Sequence, residues 1–299
     1  MCLLSYITYR TAFAADRKNV IDITSMPSGS QYDEYRSQII EHIGEVIHLT
    51  YEEVTITSYD GLKLYGKYYH QSDSAPLAIL FHGYRSASAE RDFCGGMKLC
   101  RDKGFNVLLV DERAQGRSEG RAITFGIKER YDCLSWAEYA SKRFGKDKPV
   151  FLVGVSMGAA TVTMASSLPL PENVAGIAAD SGYSSPSVII KEVIKQRHLP
   201  LHITYFLARL GAKLYGGFDL EECSSSEALK NCKVPVLFIH GEGDDFVPCY
   251  MSRENYDSCS SEKLLLTVPK AIHGMSYFLD MDKYSETFDS FVTKCLNRG

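Results

Sequence analysis

Pro149-Val-Phe-Leu-Val-Gly-Val-Ser-Met-Gly-Ala-Ala160 decides how this chain folds. Its apolar run, Val150 to Val153, has the pattern of a strand buried on both faces of a sheet. The run enters Gly154-Val-Ser-Met-Gly158, and small, helix-compatible residues from Ala159 to Ser167 follow at once. A G-x-S-x-G between strand and helix is a nucleophile elbow, a sharp and strained turn that lifts the serine hydroxyl clear of the backbone. Gly154 and Gly158 remove the Cβ atoms that would collide across such a turn. The helix behind Ser156 aims its first N–H groups, beginning with that of Met157, at any negative charge developing there. Ser156 is therefore the expected nucleophile.

Outward from this centre the same grammar repeats. Upstream, Leu77 to Phe81 and Phe105 to Val110 are buried-strand runs, with helical stretches at Ala87 to Asp102 and about Ile127 to Phe144. Downstream, Val174 to Ala179, Val234 to Ile239 and Leu264 to Val268 complete the series. Strands alternating with helices imply right-handed crossovers and a mainly parallel sheet covered on both faces. Active groups gather at the carboxyl ends of such strands.

Three segments depart from that grammar. Val54 and Ile56 alternate with Thr55 and Thr57, Tyr59-Asp-Gly61 turns the chain, and Leu62 to Tyr69 returns, which makes an antiparallel opening hairpin. Between Asp180 and Val234, helices at Ser187 to Gln196 and Leu201 to Tyr215 follow one another with no strand between them. An excursion of that length needs structure of its own, so residues 183–230 read as a helical cap inserted in a catalytic domain of residues 51–299. Residues 1–50 form a helical extension. It holds a polar link at Ser25-Met-Pro-Ser-Gly-Ser30 and an amphipathic helix through Tyr32, Tyr35, Ile39, Ile43 and Val46.

The strand ends supply partners for Ser156. Phe81-His-Gly-Tyr84 closes the first strand of the series, and the N–H of Tyr84, beside Gly83, is the expected second oxyanion donor with that of Met157. The Tyr84 side chain could face the oxyanion or the substrate. His82 reads as a structural histidine beneath the loop. Val236-Leu-Phe-Ile-His-Gly-Glu-Gly-Asp-Asp245 runs a strand into two adjacent carboxylates. Asp244 is chosen as the orienting acid, Asp245 as the cap of the following turn, and Asp180 remains a contender from the previous strand. His273, in Ala271-Ile-His-Gly274, is the histidine that follows both elbow and acid, as the chain order Ser, Asp, His requires. His240 reads as structural. In this arrangement Ser156 attacks, His273 moves the proton and Asp244 fixes the imidazole, with no metal or organic cofactor.

These motifs, together with Asp111-Glu-Arg-Ala-Gln-Gly-Arg-Ser118 and Val247-Pro248, resemble those of the α/β-hydrolases. More narrowly, they are similar to bacterial serine hydrolases grouped with the prolyl-oligopeptidase-like and dienelactone-hydrolase-like families. The resemblance covers about residues 53–296. It implies an eight-stranded, mostly parallel sheet whose second strand is antiparallel. Ala114 stands where the usual D-x-R-G-x-G-x-S has glycine.

Composition narrows the partners. A net charge of −4 over 299 residues leaves no basic stripe, which excludes nucleic acid. Nine cysteines without a C-x-x-C read as reduced thiols of a cytoplasmic protein, and no zinc site is expected. The apolar start, Met1 to Ala15, is too short to span a bilayer and lacks a basic leader. It packs on the domain or makes a weak peripheral membrane contact. The expected activity is hydrolysis of a small-molecule carboxylic ester with a medium acyl chain or an aromatic acid. The alternatives are a thioesterase, a peptidase using Glu221-Glu222 to grip an amine, and a hydrolase-fold binding module.

Overall fold

In the computed structural model, which describes residues 2–15, 30–86 and 88–298, Glu52–Thr57 (β1) and Lys63–Tyr69 (β2) pair as the opening hairpin. Six further strands follow: Leu77–Phe81 (β3), Asn106–Val110 (β4), Val150–Val155 (β5), Val174–Asp180 (β6), Val236–Gly241 (β7) and Lys263–Val268 (β8). They form one eight-stranded sheet in the order β1-β2-β4-β3-β5-β6-β7-β8. β2 runs antiparallel to both its neighbours, and every pairing from β4 to β8 is parallel. This is the α/β-hydrolase architecture, with β5 at its centre.

The helices are Cys2–Ala12 (α1), Arg36–Ile47 (α2), Ala89–Asp92 (α3), Cys94–Asp102 (α4), Glu129–Phe144 (α5) and Met157–Ala165 (α6). After β6 come Pro186–Gln196 (α7), Leu201–Gly211 (α8) and Ser225–Leu229 (α9), and after β7 come Tyr250–Ser258 (α10), Ser276–Leu279 (α11) and Met281–Leu296 (α12). Alternate residues of each strand feed opposite layers, as a period of two requires. Ala78, Leu80, Val107 and Leu109 pack toward α2, α4 and α12 with Ile43, Met97 and Phe288. Leu77, Ile79, Leu108 and Val110 pack toward α5 and α6 with Trp136 and Val162.

A third apolar cluster joins α1, the helices after β6 and the elbow helix through Phe13, Ile190, Ala208, Met157 and Met164. Phe13 is fully buried between the rings of Phe125 and Phe218, at centroid distances of 5.7 and 5.4 Å. The amino-terminal helix thus packs on the domain, and an isolated bridge joins Ala14 to Ala122.

Two helices differ from their sequence patterns. The stretch expected as one helix to Asp102 breaks at Phe93 (φ −107°, ψ 16°), and its expected first residue, Ala87, lies outside the described residues. Gly95 and Gly96 weaken the helix there, and a Cβ on Gly95 would run into the Tyr277 ring. The helix beginning at Leu201 leaves α geometry at Ala212, forms a wider turn to Gly216 and stops at Gly217 with φ +65°. The polar link at 25–29 lies outside the described residues. Ala114 adopts φ +63°, which accounts for the glycine preference at its position.

Candidate active site

Ser156 sits between β5 and α6 with φ +55° and ψ −112°, outside the regions that L-residues favour. A strained backbone of this kind costs about 1–3 kcal/mol and persists only where its surroundings enforce it. Here the enforcement is backbone on backbone. A Cβ on Gly158 would overlap the Phe81 carbonyl, and one on Gly154 would overlap that of Gly158. The Ser156 N–H is held by the Asp180 carbonyl at 2.8 Å.

From Ser156 a hydrogen-bonded series runs inward. Ser156 Oγ lies 2.9 Å from His273 Nε2, and His273 Nδ1 lies 2.7 Å from Asp244 Oδ2. A carboxylate can only accept, so Nδ1 carries the proton and Nε2 is free to accept from the serine. Asp244 is buried; that burial alone would raise its carboxyl. Hydrogen bonds from His240 and His273 outweigh it and hold the group at about 2. Its other oxygen accepts the N–H groups of Phe246 (3.0 Å) and Val247 (2.8 Å). The turn cap expected of Asp245 is therefore supplied by Asp244 itself, while Asp245 is exposed. One carboxylate does both jobs because its two oxygens face opposite ways.

Asp180 does not join the series. It accepts from Ser181 Oγ at 2.9 Å and Tyr284 Oη at 3.0 Å, and its burial raises the carboxyl above the ordinary range despite both bonds. Nor does His82, whose two ring nitrogens are already occupied. Nδ1 donates to the Gly83 carbonyl at 2.8 Å, and Nε2 accepts the Glu112 N–H at 3.0 Å. His240 sits behind Asp244: its Nε2 is shared between the Val247 carbonyl (2.8 Å) and Asp244 Oδ2 (3.2 Å), and its Nδ1 lies 2.6 Å from Ser252 Oγ.

The loop Gly83–Arg85 closes the site's upper side. Asp92 Oδ2 accepts the Gly83 N–H at 3.1 Å, while the Tyr84 hydroxyl donates to the Ala12 carbonyl at 2.8 Å. Arg85 Nη2 donates to the Ala14 carbonyl at 3.2 Å. The Tyr84 side chain is thus tied to the amino-terminal segment. Neither Asp92 nor that segment carries a motif; both act through contacts that local sequence pattern does not encode.

Two cavities meet at Ser156. One, of about 440 Å³, is mostly apolar and is walled by Phe125, Tyr183, Ile190, Ile194 and Ala208, with Thr8 and Thr11 of α1. Tyr84 and Met157 stand beside Ser156 in that wall. The other, of about 210 Å³, is bordered by Arg91, Asp92, His273, Met275 and Phe278. A larger polar cleft of about 530 Å³, near Asp60, Arg113, Arg121 and Lys128, has neither Ser156 nor His273 in its wall. Among the described residues no group of histidine, cysteine or carboxylate side chains could hold a metal ion.

A family model described as the alpha/beta hydrolase fold matches residues 76–214. This match and the order of the sheet give the chain the α/β-hydrolase fold. The chain is similar to an uncharacterized Bacillus subtilis protein, YqkD, at 26% identity over 66% of this chain and 65% of that one. It is similar also to the zebrafish lysophosphatidylserine lipase ABHD12, at 26% identity over 64% of this chain and 49% of the relative. The aligned stretch thus spans about half to two thirds of these curated relatives. The Pyrococcus furiosus esterase Pf2001 superposes with a TM-score of 0.67 at 22% identity, covering 84% of this chain and 93% of that one. The match stops before Asp244 and His273, so their place beside Ser156 rests on the geometry of this chain.

Proposed function

We propose that this protein is a serine hydrolase that cleaves carboxylic esters through an acyl-serine intermediate. The observation that carries the reading is the series Ser156 Oγ, His273 Nε2, His273 Nδ1 and Asp244 Oδ2, with links of 2.9 and 2.7 Å, opening on an apolar chamber. Ser156 Oγ attacks the ester carbonyl as its proton passes to His273 Nε2. The negative charge formed on the carbonyl oxygen meets the N–H of Met157, at the start of α6, and that of Tyr84. His273 then returns the proton to the departing alcohol, and water, activated the same way, releases the acid. Asp244 stays ionised and stabilises the imidazolium; its depressed titration keeps it charged wherever His273 works.

The chamber of about 440 Å³ suits a medium acyl chain or an aromatic acid. A peptidase needs an unengaged carboxylate to grip an amine, and the cap's pair does not offer one. Glu221 accepts from Tyr205 and pairs with Arg209, while Glu222 pairs with Arg130. The test is a series of p-nitrophenyl esters of increasing chain length, run on the parent and on Ser156→Ala, with fluorophosphonate labelling alongside. The parent should label and turn over esters. Ser156→Ala should lose labelling and at least ~10⁴-fold in kcat. Turnover at the parent rate by Ser156→Ala would overturn the proposal.

A further inference from the structure

α1 and α8 lie against one another over the apolar chamber. A Cβ on Gly211 would collide with the Ser5 carbonyl, which is why glycine stands at that crossing. The Tyr215 hydroxyl donates to the Cys2 carbonyl at 3.2 Å, and the Tyr6 and Tyr215 rings meet edge to face at 5.1 Å. Each helix has an inner side, with Thr8, Thr11 and Ala12 of α1 and Thr204 and Ala208 of α8 lining the chamber that ends on Ser156. Each also carries apolar residues that no part of the described chain covers. Leu3, Leu4 and Ile7 of α1 and Ile203 and Phe206 of α8 are all more than half exposed.

The charge pattern says what fits there. Lys195, Arg209 and Lys213 are neutralised by Glu192, Asp219 and Glu221, whereas Arg10 of α1 and Arg197 after α7 enter no ion pair among the described residues. Arg10 and Arg197 are exposed. Apolar side chains flanked by two unpaired arginines make a face that inserts shallowly among anionic headgroups. A second copy of the chain fits less well, because a two-fold interface would bring Arg10 and Arg197 of both copies together with no acid from this face to pair them. Among the described residues no helix is long and apolar enough to cross a membrane, so contact through these helices is with a surface.

We infer that the outer faces of α1 and α8 dock on an anionic phospholipid membrane surface, placing the mouth of the acyl chamber against it. The substrate class that follows, acyl esters drawn from that surface, rests on the ester-hydrolase reading above; the docking itself does not.

Full-length protein is mixed with vesicles of phosphatidylcholine, alone or with phosphatidylglycerol, and binding is read by co-sedimentation. The parent should bind the mixed vesicles, and more weakly those of phosphatidylcholine alone. Leu3→Glu/Ile7→Glu and Ile203→Glu/Phe206→Glu should each lower the partition coefficient by at least ~10-fold, because burial of exposed apolar area drives insertion. Their thermal midpoints and hydrolysis of soluble p-nitrophenyl butyrate should stay at parent values, since none of the four residues lines the chamber. Ser156→Ala should bind vesicles as the parent does, which separates failure of docking from failure of the reaction. A parent that ignores mixed vesicles, variants that bind undiminished, or a dimer that the paired substitutions dissolve would each overturn the proposal.

Discussion

Two buried carboxylates stand at the carboxyl ends of neighbouring strands, Asp180 closing β6 and Asp244 just beyond β7, and they differ in charge economy. Asp180 receives two hydroxyl donors and titrates above the ordinary carboxylate range because burial prevails. Asp244, also buried, receives two backbone N–H groups and two imidazoles, and it titrates at about 2. Burial does not decide whether an acid is charged; the number and kind of donors turned toward it do. The loop after β7 turns two N–H groups inward at Phe246 and Val247, whereas the end of β6 offers Asp180 side-chain hydroxyls only. That difference makes Asp244 the group able to steady a cationic imidazole.

The comparison breaks or sharpens under substitution. Asp244→Asn should show the largest effect, a fall in kcat on the order of 10⁴ with KM little changed, measured on a soluble p-nitrophenyl ester. Asp180→Asn should keep kcat within about threefold of the parent, since the site uses only its backbone carbonyl. An equal collapse in both variants would erase the distinction.

Stability against pH should separate them in sign. Asp244 has a depressed folded value, so it contributes about 2 kcal/mol above the unfolded carboxylate value near 4, lost as pH falls through about 2. Urea midpoints of Asp244→Asn should therefore approach those of the parent as pH drops across that window. Asp180 has a raised folded value, so its ionisation costs stability as pH rises beyond about 4. Asp180→Asn should gain on the parent from pH 4 to 7. Asp245→Asn, at an exposed position, should move activity by less than about twofold and stability by under about 0.5 kcal/mol.

The sheet and the elbow were legible because their signals are local. An apolar run of strand length, a glycine on each side of Ser156 and the order Ser, Asp, His are all written along the chain. That Asp244 rather than Asp245 faces His273 was legible too, but not its hold on the following turn, which depends on where its second oxygen points. Asp92 gave no signal, since its reach to the Gly83 N–H arises from a helix break at Phe93 that periodicity hides. The amino-terminal segment read as an extension, yet it walls the chamber and holds the Tyr84 loop. Such contacts join residues distant in sequence, and hydropathy reports only nearest neighbours on a face.

One of those contacts sets an order of events. The bond from the Tyr84 hydroxyl to the Ala12 carbonyl closes a loop of 72 residues, with the hairpin and β3 inside it. Closing long loops costs chain entropy, and such contacts form after local ones. On dilution from denaturant, the sheet should regain its far-ultraviolet signal before ester turnover returns. The delay should shrink when Tyr84→Phe removes the latch, with the loop then settling less completely.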